Sequence, residues 1–281
     1  FENMFTPTGT GLEVLAQGGA TAFLDIQDNE AQSSTDEMGA GFNLIADGST
    51  INLHNFGGNT ANGGQGDGLR IVTDNNGTII VADPTLMGSA FNGNSFTGNA
   101  GDGAFVLADS GTITFEYIGD RLDDDPLGNV FDGNGDDGLE LQTMAGGTID
   151  VINPLLGNSF SGNGDNGLVS TALTGMINIE TSLTTLSNDF SGNGATSGLG
   201  AGISYVVGPG GVINTGVFDL TIQGNAGNGI AFILDGGTIN LTGFDRNTFT
   251  DNGLNGVVIS NSNGGTFITP TVSNNDFSNN G

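Results

Sequence analysis

The sequence predicts an all-β fold, a right-handed parallel β-helix with three sides and about nine coils. Three observations predict it: a glycine-anchored phrase that recurs nine times, three alternating segments within each recurrence, and a Phe and an Asn that return at fixed places in the third segment. The anchoring glycines are Gly11, Gly41, Gly68, Gly103, Gly138, Gly167, Gly202, Gly229 and Gly256, separated by 30, 27, 35, 35, 29, 35, 27 and 27 residues. A base period of 27 with insertions at defined places is the mark of a solenoid whose extra residues leave at one corner.

Alternation over four or five residues marks the strands. The first segment of each period follows the anchor and turns Leu12/Val14, Phe42/Leu44, Leu69/Ile71, Ala104/Val106, Leu139/Leu141, Ile203/Tyr205, Ile230/Phe232 and Val257/Ile259 inward, with Leu168/Ser170 the weakest coil. The second carries Ile51/Leu53, Ile79/Val81, Ile113/Phe115, Ile149/Val151, Ile177/Ile179 and Ile239/Leu241. The third reads N-x-F-x-x-N around Phe96, Phe131, Phe160, Phe190, Phe249 and Phe277, with Ile222 substituting once.

Stacking like on like at about 4.8 Å makes nine coils a rod on the order of 45 Å long. The Phe residues form an aromatic ladder inside it. Asn99, Asn134, Asn163, Asn193, Asn225, Asn252 and Asn280 stack amide on amide at a corner, donating and accepting along the axis without adding charge. Corner glycines are expected to supply positive φ. The chain reads as one domain over 1–281, with insertions looping out at about 24–38, 119–127 and 194–200. The last motif stops at Gly281, so a segment of a longer solenoid or an end-to-end stacking subunit is expected.

These residues resemble the right-handed parallel β-helix of the pectate-lyase-like superfamily, with its Phe stacks and asparagine ladder, of the kind also found in large bacterial surface proteins. The resemblance covers nearly the whole chain and implies the fold. It leaves function open, since that superfamily holds polysaccharide lyases, glycoside hydrolases, phage tailspikes and surface proteins. A calcium-loaded roll of nonapeptides is rejected because the three segments of each period differ.

Composition narrows the partners. Of 281 residues, three are basic (Arg70, Arg121 and Arg246) and 31 acidic, for a formal charge of -28. Nucleic acid and anionic membrane surfaces need clustered cations and are excluded, and no apolar run reaches the roughly 20 residues of a membrane helix. With no Cys, disulfides and zinc-thiolate sites are excluded as well. The 36% hydrophobic content with 18 Phe argues against disorder.

Catalytic chemistry is not expected. The resemblance implies that β-helix lyases use a Lys or Arg beside acid-bound calcium; here Arg70 is the one Arg on a sheet face, read as a solvated partner of Asp67. Glu13 and Glu140 share its outward row but lie about 19 Å apart at strand spacing, too far for a carboxylate pair. His54, the one histidine, reads as a surface or packing residue.

The residue before the anchor is Asp67, Asp102 and Asp137, then Asn166, Asn228 and Asn255. Stacked carboxylates repel unless screened, so calcium is the expected cofactor, bound along Asp67, Asp102, Asp136 and Asp137 and at Asp123, Asp124 and Asp125; the same residues also fit plain exposed Asx turns. The outward face of the first segment is unexpectedly apolar: Leu15, Ile45, Val72, Phe105, Leu107, Val169, Val206, Ala231, Ile233 and Val258. It calls for a cover, either the insertion at 24–38 or a neighbouring subunit. The resulting expectation is a structural or adhesive β-solenoid, extracellular or at the cell surface, that associates with itself into a filament or matrix. The alternative is a carbohydrate-active β-helix, a lyase, hydrolase or tailspike-like glycan binder.

Overall fold

The structure, a computed structural model, describes residues 4–5, 9–32, 39–82, 91–119, 128–181, 188–269 and 271–281. The first segments form a nine-stranded sheet in chain order, from Leu12–Gln17 through Leu69–Asp74, Ala104–Asp109 and Leu139–Met144 to Val257–Ser262. The second segments form another, from Thr50–Gly57 through Thr148–Val151 and Met176–Thr181 to Thr266–Ile268, with Thr21–Gln27 paired to Thr50–Gly57. The third segments make two four-stranded runs, joined by single bridges from Ser95 through Val130 and Ser159 to Asp189. All strand pairs among the described residues are parallel, and these residues include no helix. The chain is a parallel β-helix.

Period-2 alternation decides which side chains meet. In the second sheet Ile51, Ile79, Ile113, Ile149, Ile177, Ile213 and Ile239 align coil over coil and are fully buried. Ile213 fills the coil that the sequence motif left blank. Phe96, Phe131, Phe160 and Phe190 stack with ring centroids 5.7, 5.1 and 4.8 Å apart, and Phe249 and Phe277 at 4.9 Å. Such offset contacts add about 0.5–1.5 kcal/mol per pair to the burial itself.

Of the expected insertion at 24–38, residues 24–32 do not loop out. Its residues to Gln32 continue the wall: Leu24 to Gln27 belong to the strand Thr21–Gln27, and Glu30–Gln32 pairs with Thr60–Asn62; 33–38 lie outside the described residues. The motif was hidden because Ala31 and Ala61 stand in the row of Phe96. Phe56 and Phe91, stacked at 5.5 Å, fill the space those alanines leave. The described part of this stretch, 24–32, is therefore wall and not a cover of the first sheet. Residues 195–199 are exposed in a turn closed by Gly198 N–H to the Gly194 carbonyl at 2.8 Å. At 119–127 only Gly119 is described, bridged to Leu156.

The anchor glycines have a role of their own, apart from the positive φ expected of corner glycines. None has positive φ. A Cβ on Gly103 would come within 2.5 Å of the Gly138 carbonyl oxygen and 2.8 Å of Asn134 Nδ2, so the anchor is glycine because successive coils approach there. Positive φ falls instead on the residue before each ladder Asn, as at Gly98, Gly133 and Gly162, with Asp251 taking the same conformation.

Candidate functional site

Two rows of Asx side chains flank the turn between the third and first sheets. The inner one is the predicted ladder. Asn134 Oδ1 accepts both the Asn99 N–H and Asn99 Nδ2 at 3.1 Å, while Asn134 Nδ2 reaches the Phe96 carbonyl at 3.1 Å. The pattern repeats through Asn163, Asn193, Asn225, Asn252 and Asn280. A second ladder, present in the N-x-F motif but not read from it, runs through Asn59, Asn94, Asn129, Asn158 and Asn188 and resumes at Asn247 and Asn275. Leu220 interrupts it, its N–H still reaching Asn247 Oδ1 at 3.1 Å.

The outer row precedes the anchors and runs the opposite way. Here the side chain of one coil accepts from the next: Asp102 N–H to Asp67 Oδ1 at 3.0 Å, Asp137 N–H to Asp102 Oδ1 at 2.9 Å, and Asn166 N–H to Asp137 Oδ1 at 2.7 Å. Gly101 leaves the room, since a Cβ there would lie 2.4 Å from Asp67 Oδ1. These acids accept from the next coil and not from their own turn, and Asp102 is buried, so they are stacked neighbours and not exposed Asx turns.

Glu140 joins them. Two residues beyond Gly138 on the strand Leu139–Met144, it places a carboxylate oxygen within 4.8 Å of oxygens on Asp102 and Asp137, which themselves lie within that distance of each other. Burial is the main cause that pushes Asp102 up to about 9, Asp137 to about 6 and Glu140 to about 7; repulsion from nearby carboxylates adds to each, from Asp137, Asp67 and Glu140 at Asp102, from Asp136 and Asp165 at Asp137, and from Asp137, Asp136 and Asp67 at Glu140. The Asp137 N–H opposes the rise at Asp102, and the Asn166 amide and N–H oppose it at Asp137. A hydrogen bond from Asp102 restrains Glu140. At neutral pH the group holds a proton, on Asp102 first. Asp67 is also raised by burial, against the pull of Arg70; Asp136, more exposed, is raised by burial and by Asp165.

Arg70, Phe105 and Glu140 stand in register on three successive strands. The Arg70 guanidinium carbon lies 5.8 Å from the Phe105 ring centroid, so this arginine rests on an aromatic face as well as near Asp67. Within the described residues, salt bridges under 4.0 Å involve Arg246 with Asp219 and Asp245. Glu13 stays remote from the cluster in the same row, reached by Asn43. His54 is exposed against the edge of Phe23. Asp123, Asp124 and Asp125 lie outside the described residues.

On the first sheet's outer face, Val72, Val169 and Ala231 are nearly buried, because rows at strand spacing shade one another. Ile45, Phe105, Leu107, Val206 and Val258 are half-buried, and Leu15 and Ile233 are exposed.

Three carboxylates this close offer oxygen ligands of the kind hard divalent cations take, and the raised proton affinities show the charge that a cation would neutralise. Sequence reasoning paired Glu140 only with Glu13 and so missed its place here. The available signal was the run Asp137-Gly138-Leu139-Glu140, which brackets one turn with two acids.

No protein-family model and no curated protein matches the chain. Among solved structures it is similar to the A-module of the mannuronan C-5 epimerase AlgE6 of Azotobacter vinelandii, at 13% identity over 98% of this chain and 83% of that one, with a TM-score of 0.29. At that score the match carries no argument; the fold stands on the strand pairing.

Proposed function

We propose that the chain is a glycan-binding β-helix, in the carbohydrate-active class, whose binding face is the first sheet around Arg70, Phe105 and Glu140. The observation that carries this reading is the convergence of Asp102, Asp137 and Glu140 beside an arginine-capped aromatic ring. Calcium is the cation that suits the three carboxylates; it would leave coordination positions open to sugar hydroxyls. Phe105 offers an apolar face to a sugar ring, and Arg70 supplies hydrogen-bond donors beside it. A weak, carboxylate-built cation site of this kind suits an extracellular or cell-surface setting.

The test is calorimetric titration with neutral oligosaccharides, with and without calcium. Saturable binding that needs calcium, and that Asp102→Asn and Arg70→Met each weaken about tenfold or more, is the expected result. Absence of binding to any glycan at millimolar concentration, with calcium present, overturns the reading.

A second reading, a structural or adhesive solenoid that associates with itself, is favoured by the exposed Leu15 and Ile233 on the outer face of the first sheet. Sedimentation velocity decides it. Mass growth with concentration, reversed by Ile233→Lys, supports association, and a monomer throughout removes it.

A further inference from the structure

A hollow of about 300 Å³ opens on the outer face of the second sheet, lined in part by Asp150, Ile152, Asn178, Glu180, Asn214 and Thr242. It lies on a different face from the carboxylate corner and none of the ladders above enters it. A glycine lets two of its lining side chains, Glu180 and Thr242, meet. Gly216, opposite Glu180 in register, presents no side chain at a bulge between Thr215 and Val217, and a Cβ there would lie 2.4 Å from Thr242 Oγ1. Across that gap Thr242 Oγ1 donates to Glu180 Oε1 at 3.3 Å, two coils away.

A third amide row runs along the hollow. Asn178 Nδ2 donates to Asp150 Oδ1, Asn214 Nδ2 to Asn178 Oδ1 at 2.6 Å, and Asn240 Nδ2 to Asn214 Oδ1 at 2.8 Å. Unlike the inner ladders, this row is only half-buried. Each amide has two N–H donors and two acceptor lone pairs, and the row consumes one of each, so one donor and one acceptor per residue remain for a ligand. Ile152, 65% exposed, adds an apolar wall.

We propose that this hollow is a saccharide site for neutral, hydroxyl-rich sugars. Hydroxyls both donate and accept, matching the spare amide donors and acceptors of the row and the carboxylates of Asp150 and Glu180. Asp150 and Glu180 accept hydrogen bonds from sugar hydroxyls, and with no cationic side chain in the lining they turn away anionic sugars. The volume falls at the small end of ordinary ligand sites, room for one or two sugar rings. The site shares its ligand class with the first-sheet face but depends on none of the same residues.

Side-chain amide resonances of Asn178 and Asn214, followed by NMR during titration with cellotetraose and separately with trigalacturonate, read the site directly. Saturable shifts with cellotetraose and none with trigalacturonate are expected. Glu180→Gln and the exposed-surface change Ile152→Ser should each weaken the response, Glu180→Gln by about tenfold. Asp102→Asn should leave it unchanged, which separates failure of this site from failure of the first-sheet reading. Unmoved amides, equal shifts with the anionic sugar, or shifts indifferent to both groove variants each overturn the proposal.

Discussion

The inner and outer Asx rows sit three residues apart where both are present, as at Asn99 and Asp102, Asn134 and Asp137, and Asn163 and Asn166, yet they do opposite things. The inner row is built of amides, each accepting from the coil before and donating onward, so nothing is left over. Its members are buried and neutral, and they act as mortar. In the outer row Asp replaces Asn over three successive coils. A carboxylate can accept the next coil's N–H but has no proton to pass along when ionised. The charge stays, burial makes it costly, and the row answers by holding a proton near neutrality. One chemical change at one position of the repeat turns a structural ladder into a titrating site.

The largest way to test that contrast is to damage the inner row. Asn163→Ala strips the acceptor from the Asn134 N–H and amide and the donor from the Phe131 carbonyl, all in a buried setting. A loss of about 3 kcal/mol or more is expected in urea unfolding. A loss under about 0.5 kcal/mol would mean that the ladder is ornamental.

The outer row should behave in the reverse sense. Folded Asp102, Asp137 and Glu140 bind protons more tightly than their unfolded counterparts, so the unfolded state releases them first as pH rises. Their contribution is full below about pH 4 and is lost progressively as pH climbs toward about 9. Without divalent cations, Tm should therefore fall over that range. Asp102→Asn, which keeps the acceptor for Asp137 N–H, should flatten the fall and raise stability at pH 8 by on the order of 1 kcal/mol. A variant as pH-sensitive as the parent would move the titration elsewhere among the acids. The smallest effect is expected from Asn166→Asp, which extends the carboxylates by one coil and removes the amide donated to Asp137. It should cost a few tenths of a kcal/mol at pH 5 and more at pH 8.

The sequence exposed what repeats. The isoleucine row, the phenylalanine stacks and the inner ladder were readable because period and alternation force the same residue into the same place. What repeats in substance but not in letters stayed hidden. Ala31 and Ala61 occupy the Phe row because Phe56 and Phe91 supply the bulk from another sheet, a compensation that exists only between coils. The titrating corner was half visible: Asp67, Asp102 and Asp137 fell in line, but Glu140 comes to them from across a turn, and a repeat pattern does not record which way a side chain leaves a corner. The Thr242–Glu180 contact beside the second-sheet hollow depends on the absence of a side chain at Gly216, which no motif marks.

The most direct measurement of the central claim is proton release on calcium addition, followed by pH-stat at pH 7 on the parent and on Asp102→Asn. If the outer carboxylates form a site that exchanges a proton for a cation, calcium should bind saturably and release about one proton per site from the parent, and markedly less from the variant. Calcium uptake without proton release, or equal release from both proteins, would contradict it.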